Sequence, residues 1–255
     1  MLGANNSTIA HFSMSDTTAK QHLFFDVDNT LTRSRSPITP AMHERLSRIA
    51  KTRDVIIVSG QKAEDILAQV GGVLPIYIMG QSGNRTLRAH PDGTIAELWH
   101  DALSEDDRVE VLEHIRTLPQ LKDVPPAPDP DDLIEDRGSQ ISYSLYGHHA
   151  PVEIKEKIDP QQILRKKLLA EHPLTSEKVE VRIAGTTTLD YVKKGRNKGY
   201  NITRLLKETG WNKEDCVYFG DALFEGGNDE TVIGVIDTVA VENPDDTYKK
   251  LEGVV

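Results

Sequence analysis

A single cysteine among 255 residues, Cys216, excludes an intrachain disulfide and any cysteine-rich metal site. Its setting, Cys216-Val217-Tyr218-Phe219, reads as a buried strand, and the lack of cystines fits a reducing, cytoplasmic compartment. No apolar run approaches the roughly 20 residues that a membrane-spanning helix needs, so no membrane partner is expected. Positive charge is in deficit: 30 Lys and Arg stand against 40 Asp and Glu, a net charge of -10. That balance argues against nucleic acid as a partner, although a few cations gathered in one cleft can still capture a small anion. There is no internal repeat. Residues 1–20 are rich in Ser, Thr and Asn, lack the basic and apolar regions of a signal peptide, and read as a flexible arm.

What is present is an alternation of apolar strands and amphipathic helices. A short apolar run from Gln21 to Phe25 leads into Asp26 and Asp28. A helix follows from Pro40 to Lys51 with Met42, Leu46 and Ile49 on one face, then a strand from Asp54 to Val58 ending at Ser59-Gly60. A further helix runs to Gly71-Gly72, and another strand covers Ile76 to Met79. This is the pattern of an α/β fold, a Rossmann-like doubly wound parallel sheet. The middle of the chain differs, with short alternating strands such as Gln140 to Leu145, helical patterns at Ser104 to Leu118 and Asp159 to His172, and a Pro/Asp-rich loop from Pro125 to Asp132. The α/β alternation resumes with a helix from Lys198 to Thr209 and a strand ending at Gly220-Asp221. The expected organisation is an arm (1–20), a core domain (21–85 and 190–255) and an inserted α+β cap domain (86–189).

Chemistry concentrates where the apolar strands end. Asp26 and Asp28, two positions apart just beyond a buried strand, can both reach the crevice that open α/β sheets use for ligands. One carboxylate can attack phosphorus while the other protonates the leaving oxygen and then serves as base. A bare Asp-x-Asp is more often a turn or a helix cap, but two further strand ends reverse that reading here. The Ser59 hydroxyl and the Gly60 amide can hold a phosphate oxygen, and Asp221 adds a carboxylate beside the first pair. Hard oxygen ligands gathered in this way suit Mg²⁺. Lys198, at a helix start, supplies the positive charge that an attacking carboxylate and an incoming phosphate require. The adjacent His148 and His149, read as strand neighbours facing opposite sides, are not expected to chelate one ion.

These residues resemble the haloacid dehalogenase superfamily of aspartyl phosphotransferases with a type IIB cap, and within it the eukaryotic phosphomannomutase branch. The resemblance runs from Leu23 to Leu251. It rests on Asp26-Val27-Asp28-Asn29-Thr30-Leu31-Thr32, Val58-Ser59-Gly60, Gly195-Arg196-Asn197-Lys198, and Gly220-Asp221 followed by Gly226-Gly227-Asn228-Asp229. It implies Asp26 as nucleophile and magnesium ligand, Asp28 as acid/base and ligand through its carbonyl, and Asp221 as the remaining protein ligand. Ser59 and Lys198 would bind the transferring phosphoryl group. Arg35, Arg137, Thr188 and Asp190 fall at substrate-binding positions, and a homodimer through the cap is in keeping with the family. Asn29 replaces the usual glycine after the second Asp, and His148 and Lys155 stand where two cap arginines would grip the distal phosphate. Lysine is a point charge and histidine is largely neutral at pH 7, so this grip is weaker than an arginine fork. On that ground the sequence slightly favours a sugar-phosphate phosphatase, with a phosphomannomutase as the alternative and a non-catalytic sugar-phosphate binding protein as a third reading. A nucleotide phosphatase would want an aromatic cluster for a base, and the cap region offers only Trp99, Tyr143 and Tyr146.

Overall fold

The computed structural model describes residues 17–34 and 36–254. The element order begins with β1 (His22–Phe25), α1 (Pro40–Ile49), β2 (Asp54–Val58), α2 (Ala63–Gln69), β3 (Ile76–Gly80), β4 (Arg85–Ala89) and β5 (Ile95–His100). It continues with α3 (Glu105–Thr117), β6 (Ile134–Asp136), β7 (Gln140–Ser144), α4 (Val152–Ile158), α5 (Ile163–Glu171), β8 (Val179–Ala184) and β9 (Thr188–Lys193). It closes with α6 (Lys198–Thr209), β10 (Cys216–Gly220), β11 (Asp237–Ala240) and α7 (Pro244–Lys250). Two sheets result, one of seven strands in the order β11-β10-β1-β2-β3-β4-β5 and one of four in the order β6-β7-β9-β8.

The large sheet is parallel from β11 to β3 and antiparallel at β4 and β5. Alternate residues of its central strands feed two separate cores. Leu23, Phe25, Val55, Ile57, Val217 and Phe219 pack on one face, while Phe24, Ile56, Val58, Cys216 and Tyr218 pack on the other. A strand buried on both faces must be apolar throughout, which is why these strands read as unbroken hydrophobic runs. Strand order reverses at β1, whose neighbours are β2 and β10, so the carboxyl ends of these three strands open on one crevice. Cys216 is fully buried, and burial pushes its thiol up to about 12.

The small sheet is antiparallel throughout, with its apolar residues on one face. Ile141, Leu189 and Tyr191 turn towards α3 and α5, where Val111, Ile115 and Leu168 complete a third core. The opposite face is polar. Register aligns Glu135, Ser142, Asp190 and Arg182 in one row across all four strands.

Four expectations need correction. Strands β4 and β5, expected in the cap, extend the large sheet, because the turn Gln81–Gly83 folds β4 back onto β3 and Trp99 anchors β5 by donating from Nε1 to Gly83 O at 2.8 Å. Of β5 only Trp99 is buried, so the strand carries little apolar signal. The expected division at 85/86 and 189/190 therefore falls inside paired strands, since β9 continues in the small sheet to Lys193. The arm is not flexible to its end: Thr17 and Lys20 are buried, and Lys20 pairs with Asp237. Residues 1–16 lie outside the described residues. The helix expected over Asp159 to His172 starts at Ile163, because Asp159 turns back to accept from Leu164 N at 2.7 Å and from Arg165 Nε at 2.6 Å, and a separate helix, α4, precedes it. His148 and His149 sit in a bend after β7 rather than on a strand.

Candidate active site

The three strand ends deliver what their sequences carry. Asp26 follows β1, Ser59 follows β2 and Asp221 follows β10, while Lys198 opens α6 behind the cap Asn197, whose side chain accepts from Tyr200 N at 2.8 Å. Close approach is enforced by glycine: a Cβ on Gly199 would overlap the Thr231 carbonyl, and one on Gly220 would overlap the Asp229 carboxylate. Asn29 adopts the left-handed conformation, with φ of 59°, in the turn just after the second aspartate.

Lys198 is the hub. Its Nζ lies 2.6 Å from Asp26 Oδ1 and 2.6 Å from Asp229 Oδ1, and it donates to the Tyr218 hydroxyl at 3.2 Å. Tyr218 in turn donates to Asp229 Oδ1 at 2.6 Å. All four side chains are buried. Burial pushes the Asp26 carboxyl up to about 8 against the pull of Lys198, with the charges of Asp229 and Asp221 adding to the rise. Burial also raises Asp221, again with Asp229 contributing, and Lys198 is raised by its two carboxylates despite burial. The carboxylates of Asp26, Asp221 and Asp229 each place an oxygen within 4.8 Å of the others. With all three carboxylates ionised against one ammonium the cluster would carry an excess of two negative charges, which a divalent cation with oxygen preference fits.

Asp28 faces elsewhere. Its carboxylate accepts from Gln61 Nε2 at 3.2 Å and from Gln69 Nε2 at 3.5 Å, and Gln69 is itself held by Thr32 at 2.7 Å. Both glutamines line a cleft of about 400 Å³ that reaches across to Glu135, Arg137 and His149 of the inserted segment. The two halves touch at this cleft: Arg137 Nη1 donates to Gly60 O at 3.1 Å, and Lys62 pairs with Glu135 at 2.7 Å.

The sequence profile of eukaryotic phosphomannomutases matches residues 42–255. The chain belongs to the eukaryotic phosphomannomutase family. Phosphomannomutases from Encephalitozoon cuniculi (28% identical over 243 residues, 91% of this chain and 93% of that protein) and Triticum aestivum (27% over 242 residues, 90% and 93%) are similar along nearly their whole length. Among solved structures, IMP-nucleotidase from Plasmodium falciparum matches with a TM-score of 0.64 at 18% identity, covering 94% of this chain and 70% of that one. A phosphatase of the haloacid dehalogenase superfamily from Bacteroides thetaiotaomicron matches with a TM-score of 0.60 at 16% identity, covering 100% and 99%. At these identities the structures establish the fold, that of the haloacid dehalogenase superfamily, while the sequence relatives mark the chain as an enzyme of the phosphomannomutase branch.

The positions expected to face substrate are arranged unevenly. Asp190 accepts from Ser142 Oγ at 2.6 Å, and burial raises its carboxyl although Arg137, His148 and Arg182 pull the other way. Thr188 shares its strand face. Arg137 is gripped by Glu135 through Nε at 2.9 Å and Nη2 at 2.7 Å. His148 and Lys155, expected at the distal phosphate, are both buried, with His148 Nε2 3.1 Å from Ser142 O and Lys155 Nζ donating to His148 O at 2.8 Å. The histidine that lines the cleft is His149, held by Asp132 at 2.6 Å. That gives Asp132, at the end of the Pro125 to Asp132 loop, an anchoring role. Arg35 lies outside the described residues. The sequence reading missed Tyr218, Gln61 and Gln69, and left Asp229 without a role. A hydroxyl in an otherwise apolar strand was the signal for Tyr218, and the Gly-Gly-Asn-Asp motif was the signal for Asp229.

Proposed function

We propose that the protein is a magnesium-dependent phosphomutase of hexose phosphates, interconverting mannose 6-phosphate and mannose 1-phosphate through a phosphorylated Asp26. The observation that carries this reading is the buried Asp26 carboxylate held against Lys198 at the reversal point of the sheet, within reach of Asp221 and Asp229. Asp26, Asp221 and the Asp28 carbonyl would hold the ion, with Asp229 close by, and when bound it supplies the positive charge that keeps Asp26 ionised and offsets the phosphate.

Asp26 attacks phosphorus and the bond from phosphorus to the sugar oxygen breaks, with the Asp28 carboxyl delivering a proton to that oxygen. Ser59, the Gly60 amide and Lys198 hold the phosphoryl oxygens. In the second half a sugar hydroxyl attacks the aspartyl phosphate while Asp28, now ionised, takes its proton. Gln61 and Gln69 keep the Asp28 carboxylate directed for both roles. Arg137 and His149, on the opposite wall of the cleft, select the sugar together with Thr188 and Asp190.

Hydrolysis is the second reading, favoured by the bonding of His148 and Lys155 to backbone carbonyls of the inserted segment, with Arg137 and His149 on the cleft wall among the described residues. Water would then replace the sugar hydroxyl as acceptor. The sequence alone tips slightly towards hydrolysis, whereas the family match and the named relatives favour the mutase. A magnesium-dependent assay with mannose 1-phosphate and glucose 1-phosphate, with and without the matching 1,6-bisphosphate, separates the two. Isomerised sugar phosphate dependent on bisphosphate establishes the mutase, and inorganic phosphate as the main product overturns it.

A further inference from the structure

Two connections join the sheets, residues 101–104 between β5 and α3 and residues 194–197 between β9 and α6. A cleft of about 380 Å³ lies where they run together, lined by Ser104, Asp107, Lys178, Lys193, Lys194 and Arg196. Four cations and one carboxylate converge there in a chain whose net charge is -10. One oxygen of the carboxylate is committed, since Asp107 Oδ2 accepts from Ser104 N at 3.0 Å in the capping box of α3, while Oδ1 is buried without a hydrogen-bond partner among the described residues. Arg196 is steadied by Asp101 at 3.5 Å and by the Tyr200 hydroxyl, while Lys194 rests on Ser176 O at 3.4 Å. Lys178 and Lys193 reach Asp107 only as charges at a distance, without an ion pair to it. A concave positive site of this kind concentrates small multiply charged anions even on an acidic protein.

We infer that this cleft binds a phosphate-bearing small molecule and thereby clasps the two connections together, separately from the reaction crevice. Arg196 supplies a fork, and Lys178, Lys193 and Lys194 supply point charges around it. The occupied site would tie the start of α3, the end of β9 and the segment leading into Lys198, so the ligand would restrain how the small sheet moves over the large one. The inference does not depend on which reaction the crevice performs.

Amide NMR of the full chain without divalent metal tests it, titrating orthophosphate and, in a second arm, glucose 1,6-bisphosphate. The amides of Lys194, Gly195 and Arg196 should shift and saturate, with one arm tighter than the other identifying the better ligand. In the Lys178→Gln/Lys193→Gln variant that affinity should fall roughly tenfold or more, while shifts at Ser59 and Gly60 titrate as before. Hydrogen exchange across 101–104 and 194–197 should slow when the site is filled. Shifts confined to Ser59 and Gly60, an equal response in the double variant, or unchanged exchange at saturation would each overturn the proposal.

Discussion

The two sheets solve opposite problems with the same backbone element. The large one is buried on both faces and keeps its polar chemistry to the strand ends, where Asp26, Ser59 and Asp221 emerge. The small one is apolar on one face and displays polar groups on the other, in the row Glu135, Ser142, Asp190 and Arg182 across its four strands. A strand end fixes a side chain against a rigid core, which suits a nucleophile that must be held to a fraction of an ångström. A sheet face presents several groups at regular spacing, which suits selection among similar sugars. The difference matches the proposed division, in which one region performs the reaction and the other chooses the substrate, and that division can be broken by substitutions that move the wrong property.

The largest effect belongs to the nucleophile. Asp26→Asn should lower turnover by about 10⁴-fold or more, because the amide cannot form the acyl phosphate. Thermal unfolding should stay near that of the parent protein, since the side chain keeps its volume. Retained turnover measured on magnesium-loaded enzyme would remove Asp26 from the mechanism. Next in size is the packing that holds it. Phe24 is fully buried beside Trp211, at 6.5 Å between ring centroids, and Phe24→Ala should cost about 3–5 kcal/mol in urea unfolding. Arg182→Gln, in the polar row of the small sheet, should cost about 1 kcal/mol or less. Equal costs for the two would erase the contrast between the sheets.

This contrast also governs what could be read from the sequence. Strands β1, β2, β3 and β10 declared themselves because burial on both faces makes a strand apolar at every position, and the residue after each is then conspicuous. Asp26, Ser59 and Asp221 were legible for that reason, and Lys198 for its place at a helix start. Strand β5 was misplaced because one residue of it, Trp99, is buried. Ser142 and Arg182 were invisible because a polar residue on a half-covered strand looks the same whether it faces solvent or substrate. Gln69 acts through a contact spanning 41 residues, which no local pattern encodes, and the partner of Tyr218, 11 residues on, is equally absent from its strand. The inward bonding of His148 and Lys155 is a tertiary fact of the same kind.

A smaller effect, and one that sharpens the division of labour, is expected from Arg137→Ala. Arg137 touches Gly60 from the small-sheet side and lines the cleft. The substitution should reduce kcat/KM for a hexose phosphate about 10- to 100-fold. Its activity on phenyl phosphate, which presents no sugar hydroxyls and no second phosphate, should change by less than about threefold. Parallel losses on both substrates would place Arg137 with the reacting groups and not with the selecting ones.

The smallest effect tests the seam itself. Glu135 is half-buried and is shared between Lys62 of the large-sheet half and Arg137 of its own, and these cations draw its carboxyl down to about 2 in spite of burial. Its unfolded counterpart takes up a proton near the ordinary value of 4.5, so the unfolded chain binds the proton more readily over the interval between the two values. The stabilising contribution is therefore complete above about pH 4.5 and is lost as pH falls towards 2. After allowance for solvent screening it amounts to about 1–2 kcal/mol. In urea unfolding the parent protein should lose stability more steeply than Glu135→Gln as pH falls from 5.5 to about 3.5. The two should differ most at neutral pH and converge in acid. Parallel curves would mean that Glu135 is an ordinary surface carboxylate, and the contact at the cleft would then rest more heavily on Arg137 and Gly60.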